Sequence, residues 1–261
     1  MGDEAVRYEV RGPAAWLTID REERRNALSD DVIEALLAGL ERAAGAAEVR
    51  VVVVTGAGDR AFCAGGDLAG NLGPTGGRIQ SHDRRGDVAR LLTSIPNHPQ
   101  PVVARVNGLA LAGGFGLMLA CDLAVAADDV EAGTPEINVG LWPHMISAVV
   151  SRNVPRKVMT DLMMTGRRCS AAEAERWGMV NRVVPRPQLD SAVDELVGEL
   201  ASKSPFILRL GKESLFHSMD MPFGDALAYL QEMLAANLES EDVAEGVSAF
   251  LQKRRPEWKG R

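Results

Sequence analysis

The sequence predicts an α/β fold, and three observations carry that prediction. Apolar β-branched runs recur, as in VVVVT (Val51–Thr55) and PVVARV (Pro101–Val106), the pattern of strands buried on both faces. Stretches of helical periodicity separate such runs up to about residue 200, which argues for strands and helices in alternation. Only helical patterns remain beyond that point. The chain thus divides into a core, residues 1–200, and a helical C-terminal region, residues 201–261.

The elements follow in order. Alternating apolar positions place short strands at Val6–Val10 and Ala15–Ile19. A helix is expected over Asp30–Ala44. Ser29 stands at its N-cap, acids fill its first turn, and Val32, Ile33, Leu36, Leu37 and Leu40 form one stripe. Val51–Thr55 reads as a buried strand. Leu68–Asp87 carries Gly70, Gly73, Pro74, Gly76 and Gly77, then charges, with little periodicity. That composition predicts a mobile surface loop, with a helix resuming near Val88. Strands at Pro101–Val106 and Leu123–Ala127 flank a helix over Gly114–Cys121. SAAE (Ser170–Glu173) is a capping box, and Met179–Val184 reads as the last strand. Helices are expected at Leu189–Ser202, Pro205–His217, Phe223–Glu239 and Glu241–Arg254.

Bulk composition narrows the function classes. Hydrophobic residues make up 46% and charged residues 25% of the chain, the balance of a globular protein. The formal net charge of −7 gives no electrostatic reason to expect nucleic-acid binding. No uncharged apolar run reaches the length of a membrane span. The N-terminal MGDEAVRYEV is acidic and lacks an apolar stretch, so no signal peptide is expected and a cytoplasmic location is. Cys63, Cys121 and Cys169 are widely spaced and odd in number, which fits reduced core thiols better than a disulfide framework. No Cys/His spacing suggests a metal site.

Two glycine-rich stretches raise the question of chemistry. TGAGDRA (Thr55–Ala61) has the outline of a dinucleotide fingerprint. That fingerprint must open a helix, and FCAGGDL is poor helix material, so Gly56 and Gly58 more plainly make a turn. ALAGGFGLMLACD (Ala110–Asp122) is apolar yet holds Gly113, Gly114 and Gly116, each weakening a helix by roughly 0.5–1 kcal/mol relative to alanine. Like AFCAGGDL (Ala61–Leu68), it puts glycine beside an apparent helix start, where unpaired N–H groups gather. Two such N–H groups from separate turns would make an oxyanion hole. Spacing alone leaves close helix–sheet packing as the plainer explanation.

A resemblance adds to this. NGLALAGGFGLMLACDLAVAAD (Asn107–Asp128), RRNALS (Arg24–Ser29), AFCAGGDL, GTPEINVGLWP (Gly133–Pro143), LMMTGRRCSAAEAERWGMVNRVV (Leu162–Val184) and AEGVSAFLQKRRPEW (Ala244–Trp258) are similar, in order and in content, to the crotonase, or enoyl-CoA hydratase/isomerase, family. The resemblance implies a spiral of ββα units with a helical C-terminal oligomerisation region, assembled as a homotrimer or a dimer of trimers. It also implies an acyl-CoA substrate that carries its own coenzyme A, with no separate cofactor. By motif position, the N–H groups of Gly66 and Gly113 would hold the thioester oxygen as an enolate forms, and Gly114 would keep the approach clear. Arg24, Arg25, Ala27, Ala64, Asp67 and Leu68 match positions that line the CoA channel. Phe250 and Lys253 match a pair that closes over the pantetheine or nucleotide. Asp67 has an equally good bland role as a helix cap.

Hydratases of this family resemble one another in using two glutamates. The second is matched by Glu136; at the position of the first stands Gly116. One carboxylate suffices to move a proton between two carbons, so the residues favour double-bond isomerisation, with one-carboxylate hydration also open. A CoA-thioester-binding protein without turnover is the rival from another class, and a nicotinamide-dependent oxidoreductase a weaker one. His144 could supply a second acid/base group, although a solvent-facing histidine at a helix start is the plainer reading. His82, His98 and His217 show no ligand spacing. The basic tail Lys253–Arg261 reads as a solvated helix end or as a contact for CoA phosphates.

Overall fold

The computed structural model of the protein describes residues 5–67 and 78–261. Among these residues two sheets form. β1 (Val6–Arg11) and β2 (Ala14–Ile19) make an antiparallel hairpin around Gly12, whose φ is +55°. β2 then pairs in parallel with β3 (Val51–Gly56), and β5 (Val102–Val106), β7 (Leu123–Ala127) and β10 (Arg182–Val184) extend the sheet in parallel. The second sheet has the order β4 (Ala61–Cys63), β6 (Leu109–Leu111), β8 (Glu131–Gly133), β9 (Arg168–Ser170). Its first two pairings are parallel and the last antiparallel.

The chain order explains the two sheets. β3 joins the first sheet and β4 the second, and α2 (Arg78–Ser94) follows. β5, β6 and α3 (Gly113–Ala120) repeat the step, and β7 with β8 begin it again. The result is the expected spiral of ββα units. The core between its layers is apolar, with Leu17, Phe62, Phe115, Leu117 and Leu162 fully buried. α1 (Asp30–Ala44) lies where expected, with the Ser29 hydroxyl accepting from the Val32 N–H at 3.4 Å. α4 (His144–Asn153), α5 (Arg156–Thr165) and α6 (Ala171–Arg176) complete the core, and α6 opens on the predicted capping box. All three cysteines are buried.

Two expectations need correction. The segment read as a loop to Asp87 is helical from Arg78, ten residues before Val88. Among its described side chains, Val88, Leu91 and Leu92 pack against the core. Residues 68–77 lie outside the described residues. The basic tail is solvent-exposed at Lys253–Arg255, Lys259 and Arg261, as expected, but it is not a helix end. After α7 (Leu189–Ala201), α8 (Pro205–Ser218), α9 (Phe223–Leu238) and α10 (Glu241–Gln252), Lys253 turns left-handed at φ +53° and the chain folds back. Buried Asp242 receives the Ser204 hydroxyl and the Lys259 N–H, each at 2.5 Å, and the Gly260 N–H at 3.1 Å. Trp258 Nε1 donates to the Ser202 carbonyl at 2.7 Å.

The C-terminal region is tied to the core by a buried ion pair. Lys212 Nζ of α8 donates to Asp122 Oδ2 at 2.7 Å and to the carbonyls of Ile95 at 2.9 Å and Gln100 at 3.2 Å. Burial raises the Asp122 carboxyl and lowers the Lys212 ammonium from their ordinary pKa values. Among the described residues, no helix is long and apolar enough to cross a membrane.

Candidate active site

β4, β6 and β8 run parallel and side by side. Gly66, Gly113 and Glu136 each follow the C-terminal end of one of these strands within three residues. Sheet topology alone therefore gathers at one edge three residues that are remote in sequence. The carboxyl ends of parallel strands are where α/β sheets hold ligands.

The Gly66 segment is set by its neighbour. Leu28 donates its N–H to the Gly65 carbonyl at 2.8 Å and accepts from the Asp67 N–H at 3.0 Å. Successive N–H groups of an extended segment point to opposite sides, so the Gly66 N–H points away from Leu28. The Gly113 N–H is the first of α3, a position with no intrahelical acceptor. Neither group has an acceptor among the described residues. A methyl group on Gly113 would lie 3.7 Å from the Gly66 nitrogen, and one on Gly66 would meet nothing within 4 Å. Two unpaired donors on adjoining segments, with open space at Gly66, can hold one oxygen anion.

The glycines serve distinct purposes. Gly65 has φ +99°, and a Cβ there would fall 2.6 Å from the Ala112 Cβ. A Cβ on Gly114 would lie 2.0 Å from the Cys63 carbonyl oxygen. Gly114 thus lets α3 abut β4, the packing role, instead of clearing a ligand's approach as expected. Ala112, just before the Gly113 donor, holds φ +51° and ψ −124°, a conformation that costs a non-glycine residue on the order of 1–3 kcal/mol. Strain at this N-cap fixes the direction of the donor that follows. Gly65→Ala is expected to push Ala112 aside and misplace that donor. Turnover should fall by about 10²–10³-fold, the usual cost of one oxyanion donor, and single-turnover kinetics at saturating substrate would measure it.

Glu136 stands in the 3-10 turn Pro135–Val139, half-buried, with Oε2 buried and unpartnered. Burial pushes its carboxyl above the usual glutamate range, and a hydrogen bond with its own backbone offsets only part of this. A carboxylate so placed is suited to taking up and returning protons. Thr134, fully buried just before it, also has an unpartnered hydroxyl. Gly116, on α3, is buried against Ile146 of α4. His144 begins α4 and is exposed, the plainer of its two readings.

The other expected site residues are spread more widely. Arg24 and Arg25 are exposed, Ala27 is buried, and Ala64 donates its N–H to the Arg25 carbonyl at 3.1 Å. The Arg25 carbonyl thus holds the segment that leads from β4 to Gly66. Asp67 Oδ2 pairs with Arg21 at 3.1 Å. Leu68 lies outside the described residues. Phe250 is 82% exposed, and with Lys253 it sits at the end of α10. A Cβ on Gly113 would face Leu28, Gly65 and Gly66.

Sequence reasoning missed two buried asparagines. Asn26, at φ +56°, donates to the carbonyls of Ala57 at 3.0 Å and Ala61 at 2.7 Å. Asn107 donates to the carbonyls of Gly56 at 2.9 Å and Gly58 at 2.7 Å. Both clamp the turn between β3 and β4 that aims the Gly66 segment. The turn leads into a strand, which removes the dinucleotide-fingerprint reading. Asparagine's tolerance of left-handed backbone was a usable signal at position 26.

The chain matches the enoyl-CoA hydratase/isomerase family model over residues 11–261. It is 34% identical over 246 residues to enoyl-CoA hydratase domain-containing protein 3, mitochondrial, of Rattus norvegicus, covering 93% of this chain and 80% of that one. It is 38% identical over 219 residues to carnitinyl-CoA dehydratase of Escherichia coli (strain SMS-3-5 / SECEC), covering 82% and 83%. An enoyl-CoA hydratase crystal structure from Mycobacterium smegmatis superposes with a TM-score of 0.92 at 34% identity, over 97% of this chain and 98% of that one. Human enoyl-CoA hydratase domain-containing protein 3 gives 0.93 at 31%, over 97% and 100%. Sequence, fold and the gathered glycines agree: the chain belongs to the enoyl-CoA hydratase/isomerase family.

Proposed function

We propose that the protein isomerises the double bond of an enoyl-CoA thioester, using Glu136 as its one carboxylate and the Gly66 and Gly113 N–H groups as its oxyanion hole. The Glu136 carboxylate takes a proton from the α-carbon of a 3-enoyl thioester. The electron pair moves through the conjugated system onto the thioester oxygen, where the two N–H groups hold it. Glu136 then returns the proton to the γ-carbon, giving the 2-enoyl thioester. Coenzyme A arrives with the substrate, and no other cofactor enters the reaction. The observation that carries this reading is the buried, unpartnered Oε2 of Glu136 in a site where Gly116 replaces a second acid. Arg24, Arg25, Ala27, Ala64, Asp67 and Leu68 are assigned to the CoA channel, and Phe250 and Lys253 to its closure.

Offering 2-enoyl-CoA and 3-enoyl-CoA separately in D₂O, with products followed by NMR, tests the reaction. Deuterium at the α- or γ-carbon without an added hydroxyl is the expected result. A β-hydroxyl product from the 2-enoyl substrate would overturn isomerisation in favour of one-carboxylate hydration.

We also assign a homotrimer, or a dimer of trimers, to the C-terminal region. Its support is α9, in which Phe223, Leu227, Leu230, Leu234 and Leu238 form one exposed apolar stripe. Leu230→Glu with Leu234→Glu is expected to shift the mass measured by light scattering from a multiple of the chain to a single chain. An unchanged mass would exclude this face as the interface.

A further inference from the structure

The geometry points to Ile146 as the residue that keeps a second carboxylate out of the site, so that its reaction specificity is enforced by packing and not merely by the loss of a glutamate. This deepens the proposed function and rests on it for the chemistry. A Cβ on Gly116 would fall 2.4 Å from Ile146 Cγ2 and 2.8 Å from Ile146 Cβ. Interiors packed at crystal density do not tolerate such approaches. Ile146 cannot simply turn aside. It is 4% exposed, and a β-branched side chain in a helix has one strongly preferred χ1. Its Cβ, moreover, is fixed to the α4 backbone whatever its rotamer. α3 and α4 pack together here, so relieving the overlap means separating two helices, one of which carries the Gly113 donor. Any side chain at 116, acidic or not, must displace Ile146 first. Gly116 and Ile146 are therefore one complementary pair, and a side chain at 116 requires a smaller residue at 146.

A thermal-unfolding cycle tests the packing without reference to substrate. Alanine is a better helix residue than glycine, so Gly116→Ala would raise the Tm if the space were open. It is expected to lower the Tm in the wild-type background and to raise it in the Ile146→Gly background, where the nearest remaining atom of residue 146 is its Cα at 3.8 Å. An increase of equal size in both backgrounds would overturn the proposal. Specificity is read on Gly116→Glu combined with Ile146→Gly. Relative to Ile146→Gly alone, this enzyme should gain at least about 10²-fold in β-hydroxylation of 2-enoyl-CoA, the low end of the contribution of a positioned acid/base group. No gain in a folded double variant would overturn the specificity role. A wild-type enzyme found to hydrate 2-enoyl-CoA as its main reaction would instead overturn the proposed function, with the Tm cycle left intact.

Discussion

Glu136→Gln is expected to lower turnover by about 10²–10⁴-fold, the usual contribution of a general acid/base, while raising thermal stability at neutral pH. The two effects share one cause. Burial raises the native-state pKa of Glu136 above its ordinary value of 4.5. The native protein thus holds this proton more tightly than the unfolded chain does. The stabilisation is fully present below the unfolded value and is lost as pH rises through the raised native value. Above that window the native state carries a charged carboxylate with a buried, unpartnered oxygen. Glutamine has no charge to desolvate, so the Tm gain should appear at neutral pH and vanish below the unfolded value. Catalysis runs the other way, because only the deprotonated group can act as base. The kcat/KM of the wild type should rise with pH through the same raised pKa and then level off. Unchanged turnover by Glu136→Gln on either enoyl-CoA would remove Glu136 from the mechanism.

Lys212→Met is expected to cost about 3–5 kcal/mol, the penalty for breaking a buried pair and leaving one charge unpaired. Asp122 would keep the Val102 N–H as a donor at 2.7 Å but lose the ammonium, and the Ile95 and Gln100 carbonyls would lose their shared donor. Its Oδ1 is already buried and unpartnered. The expected measurement is a lowered urea midpoint at fixed protein concentration. Combining Lys212→Met with Asp122→Asn should recover part of the loss, since it removes the orphaned charge. A single variant within about 0.5 kcal/mol of the wild type, the scale of an ordinary surface change, would show that α8 is held to the core by other contacts. Loss of this joint would also reach the site, because Asp122 directly follows the helix that presents Gly113.

The long elements were legible in the sequence for a simple reason: their apolar residues recur often enough to show a period. α1 with its Ser29 cap, the β3 run and the Ser170 capping box all carry local signals that tertiary structure leaves standing. The second sheet is different. β4, β6, β8 and β9 each span three residues, too few for an alternation to register. They exist because neighbouring strands complete their backbone hydrogen bonds. The N-terminal turns of α2 escaped for the converse reason, since its described burial lies at the far end. For the candidate site, motif order singled out Glu136, Gly66 and Gly113. Their shared position at the ends of three adjacent strands was not.

Sequence by itself determined the alternation of strand and helix, the run of helices that closes the chain, the motifs that mark the family, and the absence of a glutamate at position 116. All of these are properties of residue type and spacing. Tertiary structure decided why each glycine is required: Gly65 lies against Ala112, Gly114 against a carbonyl oxygen, Gly116 against Ile146. It also decided that Lys212 reaches Asp122 and that the tail folds back onto Asp242. The physical reason is that steric exclusion and burial depend on what lies across a gap of a few ångströms, and neighbours in space are set by the whole chain's path, not by adjacency along it.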